Sequence, residues 1–276
     1  LCAAWMGTLE KIFPNNAQPV PVAKDVPLWE KREQQAPAIK VAKPRVFIPA
    51  FPGTNCEVDS ARAFEKAGAE TEILVVKNLS PKDIEETIDR MEQAIRRAQI
   101  IMIPGGFSGG DEPEGSGKFI ATTFRNPKVA QAVTDLLETR DGLMLGICNG
   151  FQALIKLGLV PYGDIQPITA DSPTLTFNTI GRHQSMLVRT RVASTGSPWL
   201  SRCELGDEYL VPISHGEGRF VAPQAVLDQL AANGQIATQY VDLNGQPTMD
   251  LSYNPNGSLL AIEGITSPDG RILGKM

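Results

Sequence analysis

Histidine is nearly absent from this chain: only His183 and His215 occur among 276 residues. Any imidazole chemistry therefore rests on one of two positions. Cysteine is also scarce. Cys2, Cys56, Cys148 and Cys203 lie far apart, with no C-x-x-C pair and no flanking histidine. That spacing argues against a metal centre and against a disulfide scaffold, so a reducing, cytoplasmic compartment is expected. Basic residues are not in surplus. Lys+Arg total 26 against 31 Asp+Glu, a net charge of −5, so no nucleic acid partner is expected. No apolar run is long enough to cross a bilayer, and no basic segment precedes the apolar residues near the N-terminus. Neither a membrane partner nor a signal peptide is expected. A G-x-x-x-x-G-K-[ST] phosphate loop is missing as well.

What is present has an ordinary globular balance, 42% hydrophobic and 21% charged. The length suits one large domain or two small ones. Residues 14–44 hold six prolines among polar residues. Such a stretch cannot continue a helix and has little to bury, so it reads as a linker. Trp5, Leu9 and Ile12 before it fall at helical spacing, as at the end of a helix from a preceding domain. The chain starts without Met, which reads as a fragment or processed piece. Residues 1–44 are thus set apart from a second unit, 45–276.

From Arg45 onward the pattern alternates. Val46–Phe51, Glu72–Val76, Ile100–Ile103 and Leu143–Ile147 read as strands. Residues 57–67, the segment from Ser80 through Ile95, and residues 127–139 read as helices. Ser80-Pro81-Lys82-Asp83 is a helix start, and Ile84, Ile88, Met91 and Ile95 then mark one apolar face. The fold class is α/β, with a mostly parallel central sheet covered by helices on both faces. Additional β structure is expected at 174–192 and 207–213, a short helix at 223–232, and a strand at Leu259–Ile262 after the Asn254-Pro255-Asn256-Gly257 turn. In such sheets ligands bind at the carboxyl ends of the strands. The loops there are 52–56, 104–111 and 148–150.

Gly146-Ile147-Cys148-Asn149-Gly150 has the form of a nucleophile elbow between a strand and a helix. The helix N-terminus then favours a thiolate, and the Asn149 amide is placed to donate to an oxyanion. Pro104-Gly105-Gly106-Phe107 can supply a second donor, because glycine turns its amide inward without a Cβ penalty. Cys56 is the rival thiol, but Thr54-Asn55-Cys56-Glu57 lacks the small-residue turn. For a base, Ser214-His215-Gly216-Glu217 places a His and an acid two apart, on one face of an extended segment. That permits a Cys148-His215-Glu217 hydrolase; it also permits a loop that only lines the pocket. A third alternative is a docking domain with an inert thiol. His183 lacks an adjacent acid and reads as a surface or interface residue.

FPGTNCEVD (51–59), PGGFSGGDEPEGSGKFIA (104–121), GICNGFQAL (146–154), ISHGEGRF (213–220) and NPNGSLLAIEGITSPDGRILGKM (254–276) occur in this order. Together they resemble the glutaminase domain of phosphoribosylformylglycinamidine synthase, the C-terminal part of a single-chain enzyme of purine biosynthesis. The resemblance implies a flavodoxin-like, triad-type glutamine amidotransferase fold. It implies that Cys148 attacks glutamine, with Gly106 and Asn149 as the oxyanion hole. Gly105, Phe107, Gln152, Ser214, His215, Gly216 and Glu217 would then surround the substrate. The triad His and Glu are expected in a His-x-Glu motif after Met276, which moves His215 from base to pocket wall. L-glutamine and the synthase domain are the implied partners. No cofactor is implied in this domain; ATP and Mg belong to the synthase domain.

Overall fold

The computed structural model describes residues 4–5, 7–9, 26–29, 39–110 and 117–276. Strands β1 (Arg45–Ala50), β2 (Glu70–Val75), β3 (Ile100–Ile103) and β4 (Leu143–Ile147) alternate with helices α1 (Glu57–Lys66), α2 (Pro81–Arg97), α3 (Lys118–Phe124) and α4 (Pro127–Thr139). Helix α5 (Asn149–Leu157) follows β4 directly. The second half adds β5 (Thr174–Thr176), β6 (Gln184–Val192), β7 (Glu208–His215), β8 (Arg219–Val221), α6 (Gln224–Ala232), β9 (Ile236–Tyr240), β10 (Ile262–Thr266) and β11 (Ile272–Lys275).

One nine-stranded sheet runs in the order β2-β1-β3-β4-β11-β10-β9-β6-β7, and β5 and β8 form a separate pair. The strands from β2 to β11 in that order are parallel, whereas β10, β9, β6 and β7 continue the sheet by antiparallel pairing. The near-continuous apolar character of β1, β3 and β4 follows from burial on both faces. Phe47, Ile101, Ile103 and Met144 point to the face packed with Met91 and Ile95 of α2, Val133 and Leu136 of α4, and Phe151 of α5. Val46, Ile48, Met102 and Ile147 point to the other face, against Ala61 and Phe64 of α1.

Local chemistry explains the best-legible elements. Ser80 caps α2 by accepting from the Asp83 amide at 3.2 Å, with Pro81 next in the chain, as its sequence predicts. Ile88, Met91 and Ile95 are buried, but Ile84 stays 48% exposed in the first turn, where Thr87 is buried instead. The expected strand at Leu259–Ile262 is displaced. Leu259–Ala261 form a tight turn with positive φ at Leu260 and Ala261, and β10 starts only at Ile262.

The predicted linker is a partial correction. The Trp29 amide donates to the Ala193 carbonyl at 3.0 Å, and Thr195 returns a bond to the Trp29 carbonyl at 3.3 Å. The indole covers Gly234, where an added Cβ would fall 2.4 Å from the ring. Val26 is 5% exposed and belongs to the core. Residues 26–29 are therefore a strap on the domain, because Val26 and Trp29 do have apolar surface to bury. Most of the helix expected over 1–13 lies outside the described residues; within them Trp5 and Leu9 are exposed. The stretch 111–116 of the PGGFSGGDEPEGSGKFIA motif also lies outside them.

Candidate active site

Cys148 sits where β4 ends and α5 begins, with φ 53° and ψ −105°. A non-glycine residue at such an angle is strained and must be held by its surroundings. Two backbone bonds hold it. Its amide donates to the Lys275 carbonyl of β11 at 2.8 Å, and its carbonyl accepts from the Gln152 amide at 3.0 Å. The flanking glycines are sterically required. A Cβ on Gly150 would lie 2.0 Å from the Ile103 carbonyl oxygen, and one on Gly146 would lie 2.6 Å from the Leu154 side chain. The elbow is thus wedged between β3 and α5. The first-turn amides of α5 have no acceptors inside the helix, so their field favours negative charge at Cys148.

The loop after β3 faces this turn. Gly106 has φ 143°, and a Cβ there would strike the Gly53 carbonyl oxygen at 2.5 Å. Thr54 and Gly106 bridge, the Phe107 amide donates to the Gly53 carbonyl at 2.8 Å, and the Asn55 amide donates to Gly105 at 3.2 Å. The Phe107 amide is consequently committed to the neighbouring loop. Loops 52–56 and 104–108 form one wall beside Cys148.

A cavity of about 440 Å³ opens beside Cys148. Its lining includes Gly105, Gly106, Phe107, Ser214, His215, Cys56 and Lys275. Of the residues singled out by sequence, Asn149, Gln152, Gly216 and Glu217 stand behind that lining. Asn149 Nδ2 donates to Gln152 Oε1 at 2.9 Å, and its Oδ1 accepts from the Ser108 amide at 3.3 Å. Gln152 Nε2 donates to the Glu217 carbonyl at 2.7 Å. One buried chain of amides therefore ties the 104–108 loop, α5 and the 214–217 loop together. Both ends of the Gln152 amide are engaged within the protein.

The two cavity thiols differ in environment. Cys56 caps α1, whose first turn carries Glu57 and Asp59. Burial first, then the charges of Asp59 and Glu57, push its pKa up. The first turn of α5 carries no acid.

His215 is 3% exposed, and neither ring nitrogen has a hydrogen-bond partner among the described residues. The imidazole is therefore within hydrogen-bond reach of neither Cys148 nor Glu217, so the structure does not assemble a Cys148-His215-Glu217 triad. Desolvation by burial, helped by the nearby His183, lowers its pKa to about 4. It is a neutral ring at pH 7. The Glu217 charge is instead felt by Lys156 of α5.

Three participants escape sequence reading. Tyr240 is fully buried and accepts from Asn256 Nδ2 at 2.9 Å. Burial, then the charges of Glu263 and Cys148, hold its phenol protonated well above the usual range. Glu263, with no side-chain exposure, pairs with Lys275 Nζ at 3.0 Å and accepts from the Thr238 hydroxyl. Among the described residues, Lys275 is the one lysine or arginine in the cavity lining. The signal for this pair was present: AIEGI and ILGKM are apolar runs, each broken by one charge of opposite sign.

Residues 43–276 match the CobB/CobQ-like glutamine amidotransferase domain. The chain is 36% identical over 242 residues to phosphoribosylformylglycinamidine synthase subunit PurQ of Methanococcus maripaludis, covering 86% of this chain and 82% of that protein. It is 36% identical over 233 residues to the subunit of the same name from Mycobacterium tuberculosis, covering 84% and 85%. Among solved structures, PurLQS from Thermotoga maritima is similar with a TM-score of 0.59 at 27% identity, covering 85% of this chain and 86% of that one. These relatives are named as subunits, so they lend no support to the expected single-chain arrangement. No helix among the described residues is long and apolar enough to cross a membrane. By the match over residues 43–276, this chain belongs to the CobB/CobQ-like glutamine amidotransferase family.

Proposed function

We propose that this chain hydrolyses the side-chain amide of L-glutamine and supplies ammonia to a synthase portion that converts formylglycinamide ribonucleotide to its amidine. The observation that carries the reading is the wedged Cys148 turn, which shares one open cavity with Gly106. In this reading the Cys148 thiolate attacks the amide carbon. The oxyanion that forms is taken by the amides of Gly106 and Asn149; the loss of one such donor typically costs about 3 kcal/mol of transition-state stabilisation. Collapse of the tetrahedral adduct expels ammonia and leaves a thioester, which water hydrolyses to glutamate.

The base is assigned by resemblance to the His-x-Glu motif expected after Met276, with support from the strand register. Lys275 pairs with Ile147 in parallel β11 and β4. Chain continuing from Met276 therefore starts beside Cys148. Gly105, Phe107, Ser214 and His215 line the substrate cavity in this proposal. Asn149, Gln152 and Glu217 brace it through their chain of amides, and Gly216 spaces the loop. ATP and Mg act in the synthase portion, in the cytoplasm. Relatives named as subunits favour a synthase partner on a separate chain. A size measurement of the native gene product by immunoblot checks that arrangement, since a far larger band restores the single-chain one.

The test is glutamate release. Cys148→Ala should abolish it in the protein that carries the His-x-Glu segment, and residues 1–276 alone should turn over little. Full turnover by residues 1–276 returns the base to His215.

A further inference from the structure

We infer that His183 is a latch across the outer side of the Cys148 cavity, joining its two walls and limiting the girth of the ligand that reaches the thiol. One wall is the loop after β3, which ends in Phe107; the other is β7, which carries Ser214. Both residues line the cavity. His183 does not line it but touches both. Its Nε2 lies 2.9 Å from Ser214 Oγ, and its ring centroid lies 6.2 Å from that of Phe107, with the planes tilted by 34°. That separation falls in the range of favourable aromatic contact. A Cβ on Gly216 would also meet His183 Nδ1, at 4.0 Å.

The position is set by the sheet. His183 directly precedes β6, and β6 pairs with β7 in the register Gln184↔His215 and Ser185↔Ser214. The imidazole thus stands at the end of a fixed ladder, against Ser214 and Phe107 of the cavity lining. Phe107 is 43% exposed and His183 is exposed, so the latch lies on the solvent side. A tie between Phe107 and β7 favours a slender, unbranched side chain ending in a primary carboxamide. It disfavours an amide with a bulky N-substituent. The identity of that ligand rests on the glutaminase reading; the latch does not.

Cys148 alkylation separates the two. In the full chain, site-resolved mass spectrometry gives the rates of Cys148 modification by iodoacetamide and by N-benzyl-iodoacetamide. His183→Ala should lower the small-to-bulky rate ratio by about tenfold, chiefly because the bulky reagent gains access. Ser214→Ala, which removes the other end of the hydrogen bond, should move the ratio the same way. His183 and Ser214 are both exposed, so neither change threatens the fold. A ratio unchanged within twofold in either variant overturns the latch, whatever the glutamate assay reports. A shifted ratio in a protein that carries the His-x-Glu segment yet releases no glutamate upholds the latch and removes the glutaminase reading.

Discussion

The backbone amide of Cys148 donates to the carbonyl oxygen of Lys275 across 2.8 Å. This bond extends the β4–β11 ladder by one step and fixes the strained residue to the last strand of the described chain. Cys148 and the end of β11 are therefore one structural unit. Lys275 reaches from that strand to Glu263, and the elbow, the ladder and the buried ion pair share a single scaffold.

The glycines around the elbow should tolerate no side chain. Gly150→Ala places a methyl group 2.0 Å from the Ile103 carbonyl oxygen, and overpacking of this kind costs about 1–3 kcal/mol or more. A lower thermal midpoint together with loss of glutamate release is expected. Wild-type activity in that variant contradicts the wedge.

His215 makes the fold acid-sensitive. Its folded pKa is about 4 against an ordinary 6.5. Between those values the unfolded chain takes up a proton that the folded chain refuses. Stability contributed by the neutral ring is complete above pH 6.5, falls as the pH drops, and levels off below about 4. The loss over that window is about 3 kcal/mol. Urea titrations at several pH values should show the slope in the wild type and a flatter dependence in His215→Gln. Parallel curves remove His215 as the cause.

The sheet and the elbow were legible for one reason: both are written in contiguous residues. Ile100–Ile103, Leu143–Ile147 and the cap at Ser80 carry local signals that the fold obeys. β9 and β11 were not read, because Thr238 and Gln239 break the apolar run of Ile236–Tyr240 and Gly274 and Lys275 that of Ile272–Lys275. Helix α3 was missed because it starts at Gly117, in a left-handed conformation, with no side-chain cap. The site followed the same rule. Cys148, Gly106 and the 214–217 loop announce themselves locally. The Asn149–Gln152–Glu217 brace, the His183 contacts and the Glu263–Lys275 pair arise only when separate loops meet.

The Glu263–Lys275 pair should behave as a buried unit. Lys275→Met leaves the fully buried Glu263 carboxylate uncompensated, for an expected loss of about 3 kcal/mol. The double variant Glu263→Gln/Lys275→Met should recover much of that loss, because no lone charge remains. Denaturant midpoints of the two singles and the double decide it. Additive losses would show that the groups act independently.

The two cavity thiols should be unequal in function. Cys56→Ala should keep the larger part of glutamate release, since burial, then the charges of Asp59 and Glu57, push its thiol pKa up. Cys148→Ala should keep none. Steady-state assays of the complete enzyme give the comparison, and the reverse pattern refutes the assignment of the elbow.

The most direct test of Cys148 as the glutamine-attacking nucleophile is covalent capture. The protein is treated with 6-diazo-5-oxo-norleucine, which carries a diazoketone where glutamine has its amide, and the adduct is mapped by mass spectrometry. The account predicts one adduct, on Cys148, whose formation is slowed by added L-glutamine. An adduct on Cys56 alone, or a Cys148 adduct indifferent to glutamine, would contradict it.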